Sequence, residues 1–282
     1  MWTTEEIRSR IAISTAVFQN VRLSEREIAS IKASGIDQVE ISIVRRSFDD
    51  RDAEQVRAVL EACRKQDVTV VSVHGPFDLP YRDSSPEAED RVIEGSLESI
   101  RFAQEAGAGH YVGHFGIGEG ARRVLSNLIE QTEGLGIVLT TENQTGQPLK
   151  PYDEFVEEMN EPRVSWTLDI GHARDGDQVN PFVKAGSERV LVSSCRKIGH
   201  THLHDSFDLE EKSDHRPPMH RKGLIRWGDV FQGFYEIDYD GRFVFEDGRG
   251  EDPEEWVRHA ATFPKRFRDR YQADNETNWD DK

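Results

Sequence analysis

Cysteine is nearly absent: Cys63 and Cys195 are the two in 282 residues, without a CxxC spacing, and a disulfide framework is excluded. Lysine is scarce as well, nine residues out of 36 basic ones, set against 53 acidic side chains and a formal charge of -17. A field of that sign repels phosphate backbones unless a basic groove overrides it locally, so nucleic acid is not expected as a partner. An Arg-rich, Lys-poor acidic surface suits high salt, where counterions screen self-repulsion, as well as an ordinary cytosolic enzyme that is merely acidic. No apolar run approaches the length needed to span a membrane, and the opening MWTTEEIRSR lacks the apolar stretch of a signal peptide. A soluble cytoplasmic protein without a membrane partner is the expectation. Also missing are a Gly-rich dinucleotide turn, a linker, a low-complexity tract and any sign of a second domain.

What is present is a regular alternation of apolar strands and amphipathic helices. The first strand is predicted at Arg10–Phe18, and Ser24 with Glu27 has the spacing of a capping box opening a helix that ends near Gly35. Further strands are predicted at Gln38–Ile43, Val68–His74, His110–His114, Ile137–Glu142, Val164–Asp169, Gly199–His204 and Arg242–Glu246. Between them the pattern predicts helices near Asp52–Gln66, Ser85–Gly107, Glu119–Gly134, Pro151–Asn160, Pro181–Ser194 and Gly228–Tyr235, with a last one at Pro253–Arg270. Eight strand–helix units argue for parallel strands closing into a single α/β barrel, a (β/α)₈ TIM barrel over residues 1–271, with 272–282 as a polar, mobile tail. A doubly wound sheet is the alternative architecture.

In such a barrel, chemistry sits at the C-terminal ends of the strands, where eight loops surround one mouth. Glu142, Asp169, His202 and Glu246 each stand at such an end, and three carboxylates with one imidazole suggest a divalent metal. Alternation along a strand sharpens the case. If Ile137, Leu139 and Thr141 face the helices, Glu142 faces the axis with Val138 and Thr140. The same parity turns Asp169 inward with Ser165 and Thr167, Glu246 inward with Val244, and brings His74 and His114 to the axis. One polar residue at a strand end is commonplace, but five at matching parity are not.

These residues lie in the segments VHGPF, GHFG, TTENQTG, TLDIGHA, THLHDSF and FVFEDG, whose order and spacing resemble the xylose isomerase-like barrels. That superfamily includes sugar and sugar-phosphate isomerases and epimerases, inosose dehydratases and endonuclease IV, and the resemblance runs from the first strand to the last helix. In the isomerases and epimerases a Glu, an Asp, a His and a second Glu hold a metal; by motif these fall on Glu142, Asp169, His202 and Glu246. Such an oxygen-rich set with one imidazole suits Mn²⁺ or Mg²⁺, with Co²⁺ and Zn²⁺ as alternatives. The resemblance further implies that Glu142 and Glu246 transfer protons on the two faces of a sugar carbon, through an enediolate. One metal is expected.

His74 and His114 match histidines that, in endonuclease IV, join the strand-five Glu in a second metal site, and Asp169-x-x-His172 matches the pair that reaches a third. The Asp-Arg-His element of that nuclease is broken here, as Ser213-Asp214-His215-Arg216. A multi-metal phosphodiesterase is therefore the alternative function rather than the first, and an inosose-dehydratase-like lyase using the same α-proton abstraction stays open. The segment His215–Trp227 resembles the His-x-Pro-Pro, Gly-x-Gly-x-Ile-x-Trp stretch of isomerase-like members, with Arg221 and Lys222 in place of glycines; they are candidates for a substrate phosphate or carboxylate, or form a solvated basic loop. Asp208 stands where ketohexose epimerases carry an Arg. Glu40 is a candidate for a substrate hydroxyl, a loop contact or support of the metal ligands, and His172 and His204 for substrate or for that support. His110, His200 and His259 read as structural, while Phe77, Phe115 and Trp227 are candidates for the pocket wall. The expected partner is a small sugar or sugar phosphate, with a homo-oligomer the pattern of related barrels.

Overall fold

Thr3 and Glu6 form a reciprocal capping box that satisfies backbone N–H groups at a helix start, and a short helix α1 (Thr4–Arg8) precedes the first strand β1 (Ile11–Ser14). The computed structural model describes residues 2–174, 179–184, 186–206, 216–247, 249–250 and 252–271. After β1 come α2 (Glu25–Ala33), β2 (Gln38–Ser42), α3 (Ala53–Gln66), β3 (Thr69–His74), α4 (Pro86–Ala106), β4 (His110–Gly113) and α5 (Glu119–Gln131). The second half runs β5 (Val138–Glu142), α6 (Lys150–Met159), β6 (Val164–Asp169), α7 (Glu188–Ser193), β7 (Ile198–Leu203), α8 (Trp227–Glu236), β8 (Phe243–Phe245) and α9 (Pro253–Tyr271). All eight strands are parallel and close in sequence order, with β8 pairing back onto β1 through Ile11 and Phe243. The expected barrel is present.

The capping box expected at Ser24 forms: Glu27 Oε2 accepts from the Ser24 N–H at 3.0 Å while Ser24 Oγ caps the first turn. α4 stops at Gly107, whose φ of 73° is the left-handed conformation that a side chain disfavours. Three local expectations are corrected. The first strand ends at Ser14 rather than Phe18, because the Ser14 hydroxyl accepts from the Ala16 N–H and turns the chain into a 3-10 helix over Thr15–Phe18. The helix expected over Pro181–Ser194 is broken: a 3-10 turn spans Pro181–Val183, Gly186 has a φ of 85°, and α7 starts only at Glu188. α1 itself was not anticipated. The tail at 272–282, and Asp208, Ser213, Asp214 and His215, lie outside the described residues. Among the described residues no helix is long and apolar enough to cross a membrane.

The outward faces of the strands carry the apolar core. Leu139, Trp166, Leu168, Phe243 and Phe245 are fully buried against the helices, each contributing about 1.5–3 kcal/mol by removal from water. Phe231 of α8 lies 4.5 Å from Phe243, and Phe263 and Phe267 of α9 complete the same aromatic layer. Inside the barrel the filling is different. Glu40 and Ser72 pair across β2 and β3, the Thr140 and Thr167 hydroxyls meet at 2.7 Å, and His200 stacks on His110 at 5.5 Å. Polar and ionisable groups thus occupy an axis that branched aliphatic side chains usually fill.

Candidate active site

The inward parity of β3, β5, β6 and β7 delivers four side chains to one point at the mouth, and His114 and Glu246, immediately beyond β4 and β8, join them. Glu142, Asp169 and His202 are wholly buried and Glu246 nearly so. One ligand atom from each of these four falls within 4.8 Å of the others. Glu142 is the hub: its Oε2 lies 3.1 Å from both His74 Nε2 and His114 Nε2, and its Oε1 is 3.2 Å from His172 Nδ1 and 3.5 Å from His202 Nδ1. Asp169 is flanked by His172 Nδ1 at 2.9 Å and His204 Nε2 at 2.6 Å. That approach depends on Gly171, since a Cβ there would stand 1.8 Å from the His204 ring.

Beneath the mouth, Glu40 accepts from Ser72 Oγ at 2.8 Å and meets His200 Nε2 at 3.0 Å and His202 Nε2 at 3.2 Å. Of the roles open to Glu40, substrate, loop or support of the ligands, its position fits the last: it is fully buried one layer below, behind His202. His200, read as structural from its place near the strand start, completes that layer, and its parity with His202 and His204 was the available signal. Asn143 was missed: its side chain donates to the Asp169 carbonyl at 2.9 Å and accepts from the Asp169 N–H at 2.8 Å, locking β5 to β6 beside the site. Arg221 and Lys222 are exposed on the turn before α8, beside His220 and outside the carboxylate–imidazole cluster. Trp227 does not wall the mouth; it is buried and donates Nε1–H to Asp205 at 2.8 Å. Phe77 lies at the rim, stacked on His74 at 4.3 Å, and Phe115 packs inward against Tyr81 and Tyr111.

Protonation follows from this geometry. Burial alone would raise Glu142 and Glu40, but the His202 charge and imidazole hydrogen bonds hold both well below the usual carboxylate range. Burial opposes charging His202, yet Glu246, Glu40 and Glu142 outweigh it and push the imidazole well up. Burial dominates at Glu246, which is pushed up to about 7 against the pull of His202. Asp169 is held low by His172 and His204 despite burial.

A divalent cation fits this donor set. The Nε2 edge of His202 is turned to Glu40, so Nδ1 faces the mouth, 3.2 Å from Glu246 and 3.5 Å from Glu142, aligned for a hydrogen bond with neither. Asp169 Oδ2, 2.9 Å from His172 Nδ1, is likewise not aligned for a hydrogen bond with it. One carboxylate oxygen and one ring nitrogen left over in this way, beside the carboxylates of Glu142 and Glu246, are what a hard or borderline cation would complete. Glu40 would then be the carboxylate that fixes the His202 tautomer. Glu40→Gln is expected to weaken divalent-cation affinity by about 10–100-fold, read by isothermal titration calorimetry; an unchanged affinity would remove Glu40 from that role.

Residues 28–267 match the family described as xylose isomerase-like TIM barrel. Among solved structures, a D-tagatose 3-epimerase-like protein superposes with a TM-score of 0.70 at 22% identity, over 95% of this chain and 99% of that one. An L-ribulose 3-epimerase gives 0.73 at 17% identity, covering 97% and 99%. The IolI protein, solved with a bound zinc atom, gives 0.70 at 15% identity, covering 92% and 97%. No curated protein matches the chain by sequence.

Proposed function

As the chain belongs to the xylose isomerase-like TIM barrel family, we propose that it is a divalent-metal-dependent sugar isomerase or epimerase acting by α-proton abstraction. The observation that carries this reading is the convergence of Glu142, Asp169, His202 and Glu246 within 4.8 Å at the barrel mouth. The sugar epimerases and the zinc-bound protein that share the fold support it. A cation held by these four residues would supply Lewis-acid stabilisation to negative charge developing on a substrate oxygen. The residues themselves divide the remaining work. Glu142 and Glu246, on β5 and after β8, would take and return a proton at the carbon beside the carbonyl, through an enediolate. Asp169 is held in place by Asn143, His172 and His204, and His202 by Glu40. The buried position of the carboxylates keeps water from the transferred proton and strengthens each charge interaction.

One observation favours a second reading, multi-metal phosphodiester hydrolysis: His74 and His114 meet the same oxygen of Glu142 at 3.1 Å, as a second cation site would require. Elemental analysis of the purified protein separates the two, alongside deuterium exchange into ketoses from D₂O. One metal per chain, retained in His114→Ala, together with ketose exchange supports the isomerase reading. Two or more metals, reduced by His114→Ala, without exchange support the hydrolase.

A further inference from the structure

Two cavities, of about 410 and 510 Å³, open at the mouth among the loops that follow β3, β4 and β5. They share Tyr81, Arg82, Asp83, His114 and Gln144, so they are adjoining halves of one trough. It starts at the His114 imidazole, 3.1 Å from Glu142, and leads away from the metal-type donors. Each half alone is as large as the pockets that small ligands fill, so a substrate confined to the carboxylate cluster would leave the trough unused.

The lining indicates what it takes. Phe77, 44% exposed, and Tyr81 supply aromatic surfaces beside His114. Gln144 Nε2 is buried at the junction with no acceptor, a donor whose desolvation costs about 1–3 kcal/mol until a hydroxyl or carbonyl meets it. An apolar ring face beside a donor amide matches a sugar ring, which has C–H faces and hydroxyl edges. Charge argues against a phosphate. Arg82 is offset by Asp83 on the same wall, and Glu89 in the smaller half is neutralised by Arg123 at 3.0 Å. A dianion would gain no net positive partner there.

Resting on the α-proton reading above, we propose that this trough is a subsite for a second, uncharged sugar ring, and that the substrate is a keto-sugar bearing a glycosyl substituent rather than a free monosaccharide or a sugar phosphate. The metal-loaded full chain is tested for deuterium incorporation beside the carbonyl, by NMR in D₂O, with D-fructose, D-fructose 6-phosphate, isomaltulose and lactulose. At least one disaccharide is expected to exchange with kcat/KM about tenfold or more above both D-fructose and its phosphate, the gain of one good contact region. Ser84→Trp, which sets an indole on an exposed part of the smaller half, the one that follows β4, should raise KM for that disaccharide about tenfold more than for D-fructose. A preference for D-fructose or its phosphate, or an equal effect of Ser84→Trp on both sugars, overturns the subsite and leaves the α-proton reading standing. Exchange with none of the four removes that reading, and saturation-transfer NMR on the same samples then decides the subsite: contact with both rings of a disaccharide supports it, and contact with one ring or none overturns it.

Discussion

Glu142→Gln is expected to lower divalent-cation affinity by at least about a hundredfold and ketose proton exchange by about 10⁴-fold, since it removes a ligand and a proton-transfer group in one substitution. The isostere keeps volume and one acceptor, so the effect isolates charge. Four imidazoles approach this one carboxylate within 3.5 Å, and an amide would present N–H groups to some of them. Calorimetry for the cation and NMR in D₂O for exchange read the two losses separately. A variant that binds the metal normally and exchanges within tenfold of the parent would take Glu142 out of both roles.

Glu246→Gln is expected to cut exchange by about 10²–10⁴-fold and, independently, to change how metal binding depends on pH. The sign follows from the carboxyl being pushed up to about 7 by burial, against the pull of His202. Below that pH the folded, metal-free protein carries a proton on Glu246 that a cation must displace. Affinity therefore rises with pH by up to about tenfold per unit for this group and levels off above about 7. His202, pushed well up by Glu246, Glu40 and Glu142 against burial, holds a second proton that a cation must displace. Glu246→Gln should reduce the slope below pH 7 by one proton, measurable as calorimetric affinities at several pH values. An unaltered slope would mean that another group takes up that proton.

Much of the mouth was legible because strand parity is a local property. Glu142 and Asp169 each end a strand whose opposite face is mostly apolar, and period-two alternation suffices to send them to the axis, while His202 was marked by its place in THLHDSF. Depth along the axis is not local. Glu40 shares the inward parity, but its height depends on how far each strand is staggered against the next, and the β2–β3 register shifts between Val39 and Glu40. Hence the sequence left substrate, loop and ligand support all open for a residue that lies under His202. Asn143 faced a related obstacle: its partner is backbone of a neighbouring strand, and backbone leaves no residue-type signal. The break before α7 was readable in principle from Gly186, though an apolar helical pattern on both sides favoured continuity. Loop geometry was the least legible part. Arg221 and Lys222 stand apart from the cluster, while Gln144, inside TTENQTG but assigned no role there, and Tyr81, in a loop without a motif, line the wall shared by the two cavities.

The ionisable filling of the barrel has a bearing on the life of the chain before it meets any substrate. Four buried carboxylates, Glu40, Glu142, Asp169 and Glu246, lie where a barrel otherwise gains stability from aliphatic packing, and their mutual repulsion is relieved by the imidazoles that pair with them. A cation captured at the mouth would add about 4 kcal/mol at a thousand times its dissociation constant, a large share of the stability of a typical domain. Newly made chains that have not yet acquired metal would then open more often and be degraded sooner, so cellular abundance of the protein would track metal supply as well as synthesis.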